Sequence, residues 1–213
     1  MSTEQPSKII DLTLTLVHGM RGVEIFPHTR IATDGYNTTN LHLYSHAGTH
    51  MDAPLHFLDG GATIDQWDLQ KCIGPALVID LSFKEPDSLI SVADLGAAAD
   101  AIQDHSRILL RTDWDAHANL PDYRTHFPRI SRELATWLVE RGVWLVGVQT
   151  PSVASLSDRA ELRDVHQTLL RGAIVIVECL ANLRDLPADV TFVALPLKVA
   201  GGDGSPVRAV AIL

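Results

Sequence analysis

Four titratable side chains fall within eleven positions of one segment, His46-Ala-Gly-Thr-His50-Met-Asp52-Ala-Pro-Leu-His56-Phe57. In an extended backbone His50 and Asp52 share a face, because strand side chains alternate with period two. Gly48 lets the chain bend, so His46 can swing to the same centre. Pro54 argues against a helix running through the segment. Taken singly, each histidine reads more readily as a hydrogen-bonded structural residue than as a ligand. Taken together, three imidazoles and a carboxylate are costly to bury unless something compensates their charge and lone pairs. A divalent ion does so, and this donor mix suits zinc, manganese or ferrous iron.

A second carboxylate would serve a bridged metal pair or a catalytic base. His166 sits on a predicted helix, and Glu178 follows the apolar run Ala173–Val177, where an unpaired charge in a sheet core is expensive. The competing reading of Glu178 is a surface residue ending its strand. Asp11, His18, His28, His42, His105, His117 and His126 belong to no comparable constellation and read as structural or surface groups, with His28 notable only for its place in an early loop.

The elements that must position these groups alternate between strand and helix. Strands are predicted over Ile9–Leu16, Thr38–His46, Ala76–Leu81, Arg107–Arg111, Trp144–Val148, Ala173–Glu178, Phe192–Leu197 and Val207–Leu213. Helices are predicted from Ser91 to about His105, from Ser131 to Arg141 before Gly142, and over Glu161–Arg171 before Gly172. Residues 1–8 read as a loose tail, 17–37 mostly as loop, 47–62 as irregular or extended, and Gly201–Pro206 as a glycine-rich connection. Thr112–Ile130 reads as a long loop, and loops of that length in a compact domain are often functional. The mixture predicts an α/β fold with a mixed sheet in one domain, 1–213, without internal repeat.

Seventeen basic residues against twenty-six acidic ones give a net charge of −9, with no Lys/Arg cluster, which disfavours a nucleic-acid partner. Cys72 and Cys179 are too few for a disulfide framework and lack CxxC spacing, which points to a reducing, cytoplasmic compartment. The polar start, MSTEQPSK, does not look like a signal peptide, and no apolar run reaches the roughly 20 residues needed to cross a bilayer.

The His46–Phe57 segment resembles the H-x-G-T-H-x-D-x-P-x-H-F signature of the metal-dependent cyclase-type hydrolases, which include bacterial kynurenine formamidase and isatin hydrolase. His166-Gln-Thr-Leu-Leu with Glu178 resembles that family's H-x-x-L-L…E stretch. Thr150-Pro-Ser-Val resembles its central turn, and Leu195-Pro-Leu-Lys-Val-Ala-Gly with Asp203-Gly-Ser-Pro-Val-Arg resembles its C-terminal segment. The similarity runs from Ile10 to the C-terminus. It implies a single domain with a mixed, partly barrel-like sheet flanked by helices, of the swivelling β/α type.

In the formamidase branch the resemblance implies two zinc ions. His46, His50 and Asp52 would hold the first, with Asp52 bridging to the second; His166 would hold the second and Glu178 would bridge both. His56 would be the catalytic proton-transfer residue. In the isatin hydrolase branch His46, His50 and Asp52 would hold a single manganese. Zinc is thus the expected ion, one or two per chain, with manganese the alternative.

The implied activity is hydrolysis of a small aryl amide, foremost N-formylkynurenine to kynurenine and formate, with a cyclic amide such as isatin as the alternative. The implied assembly is a homodimer or homotetramer in which neighbouring loops close the site, with Thr112–Ile130 a candidate lid.

The sequence departs from the formamidase pattern at three places. Phe26-Pro27 stands where a Trp-Pro pair packs on the substrate ring, Gln149 stands where an Asp precedes Thr-Pro-Ser, and Ala154 replaces another Asp. Phe26 is therefore the candidate substrate contact. Trp114 is a second candidate for the pocket wall, and each of the two reads equally well as a simple loop anchor. Lys198 and Arg208 could meet a substrate carboxylate or simply lie at the surface. Two other classes fit the residues: a ferrous oxygenase built on His50-x-Asp52 and a distant His, expected on an all-β jelly roll, and a non-catalytic metal clamp.

Overall fold

The computed structural model describes residues 8–213, so most of the expected N-terminal tail lies outside the described residues. In chain order the elements are β1 (Ile9–Asp11), β2 (Val23–Thr29), α1 (Ile31–Asp34), β3 (Thr38–Leu43), β4 (His50–Asp52), β5 (Ile73–Asp80) and β6 (Leu89–Ile90). There follow α2 (Ala98–Ala101), β7 (Arg107–Arg111), β8 (Arg129–Ile130), α3 (Arg132–Glu140), β9 (Leu145–Val148), α4 (Arg159–Arg171), β10 (Val175–Glu178), β11 (Asp189–Pro196) and β12 (Gly204–Ile212).

Strands β12-β11-β5-β7-β9-β10-β4 pair in that order, and β4 pairs back onto β12, so seven strands close a barrel-like ring with β1 added outside on β12. The pairs β5–β7, β7–β9 and β9–β10 are parallel, and the remaining ring pairs are antiparallel. The expected α/β fold with a mixed, partly barrel-like sheet is what forms.

Of the parallel strands, β7, β9 and β10 are buried on both faces, which is why they read as unbroken apolar runs, while β5 is partly buried. Alternation divides each between two cores. Leu109, Leu145, Val175 and Val177 join Phe192, Met51 and Ala209 in one cluster. Ile108, Leu110, Val146, Val148 and Ile176 face the other way and pack on Leu134 and Leu138 of α3 and Val165, Leu169 and Leu170 of α4. That second, helix-facing side is also where alternation points His50, Asp52 and Glu178, since Met51 and Val177 belong to the first.

Helix α3 starts as expected, with Ser131 Oγ accepting from the Leu134 N–H at 3.0 Å. Helix α4 starts two residues earlier than predicted, because Asp158 caps it by accepting from the N–H groups of Ala160 and Glu161.

The predicted helix from Ser91 to His105 is not continuous. Asp94 accepts from both the backbone N–H and the hydroxyl of Ser91, a 3-10 turn spans Ala93–Leu95, and only Ala98–Ala101 is helical. The first predicted strand is shorter, Ile9–Asp11, with an isolated bridge from Thr13 to Leu180. The region read as loop before residue 37 contains β2 and α1, because β2 pairs antiparallel with β3 despite Pro27, with a bulge at Pro27/Thr29. Among the described residues, no helix is long and apolar enough to cross a membrane.

Candidate metal centre

Strand register brings distant parts of the chain together. Antiparallel pairing sets Glu178 of β10 opposite His50 of β4, and Gly204 of β12 opposite Asp52. Asp52 is two residues from His50 and so points the same way. Helix α4 lies over this face and presents His166 from its buried stripe of Val165, His166, Leu169 and Leu170. His46 precedes β4 in a tight turn at Gly48, whose φ of 59° is in the left-handed region that side chains resist. Gly204 matters for space: a Cβ there would lie 2.8 Å from His46 Cε1 and 2.9 Å from the Met51 carbonyl oxygen. The His46 ring therefore rests against bare backbone.

The resulting cluster is dense. His50 Nε2 lies 3.3 Å from Glu178 Oε2 and 3.6 Å from Asp52 Oδ1. His166 Nε2 lies 3.3 Å from Glu178 Oε1 and 3.7 Å from Asp52 Oδ2. His46 Nδ1 lies 2.9 Å from Asp52 Oδ1. His46, His50, Asp52, His166 and Glu178 are all buried. His56, on the 3-10 turn Pro54–His56, is half-buried with its ring 3.9 Å from that of His46. Phe57 stacks on His166 at 4.3 Å, and Gln167 donates to the Phe57 carbonyl at 3.0 Å, tying α4 to this turn.

Two features make the centre suited to a cation. The carbonyl of Gly48 accepts from His50 Nδ1 at 2.9 Å, and that of Leu162 accepts from His166 Nδ1 at 2.7 Å. A carbonyl only accepts, so Nδ1 carries the proton in each ring and the Nε2 atoms face the two carboxylates. Asp52 Oδ2 is also buried without a hydrogen-bond partner among the described residues, a costly state for a carboxylate oxygen unless a positive charge meets it. Two three-residue sets, His46–Asp52–His56 and His50–Asp52–Glu178, each place ligand atoms within 4.8 Å of one another and share Asp52. The residues present fit a divalent ion.

The electrostatics agree. Burial works against protonating His50 and His166, but hydrogen bonding and the charges of Glu178 and Asp52 overcome it and raise both above the ordinary histidine range. His46 is likewise raised, Asp52 outweighing burial. Burial opposes ionisation of Glu178, yet the two facing imidazoles hold it well below the usual carboxylate range. His56 goes the other way: burial lowers it. The inner groups therefore attract positive charge, while His56 stays neutral more readily.

Asp203 was not given a role by sequence reasoning. Its Oδ2 lies 3.1 Å from His46 Nε2 and 3.5 Å from His56 Nδ1. The signal was slight: an acid between two glycines, brought here because β12 pairs with β4.

Phe26 stands on the exposed β2–β3 hairpin with its ring against His18 and His42, and lines neither of the two cavities beside the metal centre. Trp114 is buried, stacked on His117 at 4.1 Å and donating to the Tyr123 carbonyl at 2.9 Å, so it anchors the loop. Arg208 is exposed and paired with Asp11 at 2.7 Å. Lys198 lines neither cavity either. Gln149 is buried and accepts from the N–H groups of Thr112 and Asp113 while its amide donates to Asp115 at 2.6 Å. An ionised Asp in its place has no such donor.

A cavity of about 220 Å³ opens onto the centre, lined by His46, His50, His56, His166 and Glu178 together with Arg21 and Arg124. A second, of about 550 Å³, shares His46, Arg21 and Arg124 with it. Its wall includes Leu120, Pro121 and Tyr123 from the long Thr112–Ile130 segment.

Residues 10–155, more than half of the chain, match the model of the Cyclase family. The chain is 36% identical over 174 residues to a protein named kynurenine formamidase from Bacillus cereus, covering 82% of this chain and 79% of that one. It is 33% identical to another of that name from Bacillus cytotoxicus, covering 85% and 83%. Among solved structures, isatin hydrolase A from Ralstonia solanacearum superposes with a TM-score of 0.84 at 27% identity, over 97% of this chain and 92% of that one. A structure described as a potential metal-dependent hydrolase with cyclase activity superposes with a TM-score of 0.80 at 26% identity, over 97% and 98%. The buried histidine–carboxylate cluster thus lies in a fold and a sequence lineage that have both been met before, and the chain belongs to the Cyclase family.

Proposed function

We propose that the protein is a metal-dependent amidohydrolase that cleaves the carbon–nitrogen bond of a small aryl amide, with N-formylkynurenine, giving kynurenine and formate, as the preferred substrate. The observation that carries this reading is the convergence of His46, His50, Asp52, His166 and Glu178 at the floor of a cavity, with Asp52 Oδ2 lacking any partner among the described residues. The kynurenine formamidase relatives support the substrate. The likeness to isatin hydrolase supports a ring amide as the second reading. The ferrous oxygenase alternative fits poorly, since jelly rolls are antiparallel and this barrel holds three parallel strand pairs.

His46, His50, Asp52, His166 and Glu178 would hold one or two divalent ions, zinc by preference and manganese as the alternative. The chemistry such an ion supplies is Lewis acidity, which activates water at neutral pH and polarises a carbonyl. Asp52 and Glu178 provide the negative charge that retains it, and the Gly48 and Leu162 carbonyls fix the His50 and His166 rings.

His56 moves the protons. Its Nδ1 is turned toward Asp203, which leaves Nε2 to take a proton from the attacking water and pass it to the leaving amine. Water supplies OH to the acyl carbon and H to the amine nitrogen, and the C–N bond breaks. A neutral His56 at working pH suits its first step, and burial favours that form.

The proposal extends to a homodimer or homotetramer. Its support is the β2–β3 hairpin, where Phe26, Ile31, Tyr36 and Leu41 are exposed and α1 buries nothing. It also extends to the cytoplasm, on the strength of two free, buried cysteines. The test is hydrolysis by zinc- and manganese-loaded protein of N-formylkynurenine, formanilide and isatin, monitored by absorbance. Cleavage of N-formylkynurenine supports the first reading and cleavage of isatin alone supports the second. Metal-loaded protein that cleaves none contradicts both.

A further inference from the structure

Four arginines are not exposed: Arg107, Arg111, Arg124 and Arg129. Three of them have their donors met. Arg107 donates to the carbonyls of Gln70, Lys71 and Pro75, Arg111 pairs with Asp80 and Asp113, and Arg129 pairs with Glu161 at 2.6 Å. Arg124 is the exception: half-buried, its guanidinium makes no hydrogen bond or ion pair with the described residues, unlike the other three.

Its position is specific. Arg124 lines both the cavity over the metal centre and the larger one beside it, and Arg21 does the same. Arg21 also lacks a carboxylate partner among the described residues, and its guanidinium carbon is held 5.0 Å over the Tyr44 ring, itself 5.3 Å from His46. Two planar cations with free donors thus stand where the two cavities meet. The chain carries a net charge of −9, so nothing in its overall balance requires unpaired arginines at this place. A guanidinium presents a fork of donors that matches a carboxylate, and a half-buried one without an acceptor is costly until an anion arrives. Beyond the arginines the larger cavity is walled by Leu14, Val17, Met20 and Leu120, which suits an apolar or aromatic body.

We propose that Arg21 and Arg124 form a carboxylate-binding subsite at the junction of the two cavities, so that the enzyme selects amides that carry an anionic group. The proposal rests on the amidohydrolase reading and adds the residues that choose among its substrates. The amide lies over the metal centre, the carboxylate meets the two arginines, and the apolar body occupies the larger cavity.

The experiment compares N-formylkynurenine with its methyl ester, which removes only the carboxylate charge. Wild type, Arg124→Gln, Arg21→Gln and Arg124→Lys are assayed, with exposed Arg141→Gln as the control. In parallel, kynurenine and kynurenine methyl ester are titrated calorimetrically into zinc-loaded protein. Loss of charge-assisted hydrogen bonds should lower the acid-over-ester ratio of kcat/KM roughly ten- to hundredfold in either glutamine variant, mainly through KM. Arg124→Lys should recover part of it, and kynurenine binding should weaken in step. Equal losses on acid and ester, or a ratio unchanged in both glutamine variants, would overturn the subsite. Arg21→Gln, at an exposed position, keeps the test open if Arg124→Gln does not fold. If wild type hydrolyses neither compound yet binds kynurenine over its ester through these arginines, the amidohydrolase reading fails and the subsite stands.

Discussion

Replacing Gly204 by alanine should break the centre without removing a single donor atom. Gly204 lacks the left-handed φ that penalises side chains, so alanine meets no backbone strain there. What it meets is contact: its Cβ would lie 2.8 Å from His46 Cε1, 3.1 Å from His46 Nε2 and 2.9 Å from the Met51 carbonyl oxygen. The Met51 oxygen belongs to β4, paired with β12 in the ring, and cannot retreat without opening that pairing. The His46 ring must then move, and with it the 2.9 Å contact to Asp52.

Overpacking of this kind costs about 1–3 kcal/mol. For a domain of this length each kcal/mol lowers Tm by about 2–4 °C, so a fall of roughly 2–12 °C is expected by differential scanning fluorimetry. The sharper readout is zinc affinity by competition with a chromogenic chelator, which should weaken. Gly201→Ala is the comparison: φ is +71° and nothing lies within 4 Å, so it strains the backbone but should leave zinc affinity alone. Wild-type Tm and zinc affinity in Gly204→Ala would refute the reasoning that bare backbone seats His46.

Three further outcomes are expected. His56→Gln should lose about 10²- to 10⁴-fold in kcat while keeping wild-type metal content, as measured by steady-state kinetics beside mass spectrometry of the metal. For metal-free protein, His46, His50 and His166 are raised above 6.5, so their stabilisation is full below that pH and is lost as pH rises through their folded values. Glu178 is lowered from 4.5, so its contribution is present above that pH and lost on acidification. These groups favour metal-free protein most between about pH 4.5 and 6.5. Metal competes with those protons, so zinc should raise Tm increasingly as pH climbs from 6 to 8; a zinc-induced shift independent of pH would count against this linkage. Ser131→Ala removes the α3 cap and should cost about 0.5–2 kcal/mol in urea unfolding, with kcat unchanged.

The central parallel strands of the ring were legible because burial on both faces leaves unbroken apolar runs, as in Arg107–Arg111, where predicted and observed limits coincide; β4 was not, since its three residues lie in the 47–62 stretch read as irregular or extended. The helix predicted after Ser91 was not, because the capping pattern is real but serves a 3-10 turn that ends at Gly96. Of the β2–β3 hairpin, β3 lies within the predicted strand Thr38–His46, whereas β2 was hidden by Pro27, by Gly22 before it and by its mostly exposed side chains.

At the centre, the spacing of His46, His50, Asp52 and His56 could be read directly from one segment. The approach of His166 and Glu178 depends on the β10–β4 register and the placement of α4, which only the fold supplies. Asp203 carried only the slight signal of an acid between two glycines, and the two arginines carried no local pattern. They become visible as neighbours of the cavity, Asp203 through β12–β4 pairing and Arg124 through the long loop between Thr112 and Ile130.

The central claim is that buried imidazoles and carboxylates from β4, α4 and β10 hold a divalent ion around Asp52. It is tested most directly by inductively coupled plasma mass spectrometry of purified wild type and Asp52→Asn, each equilibrated with zinc or manganese and desalted. The account predicts at least about one ion per wild-type chain and a large loss in the variant, whose amide cannot supply the charge that Asp52 brings to both ligand sets. Wild-type protein that retains no ion, or Asp52→Asn that retains as much as wild type, would contradict it.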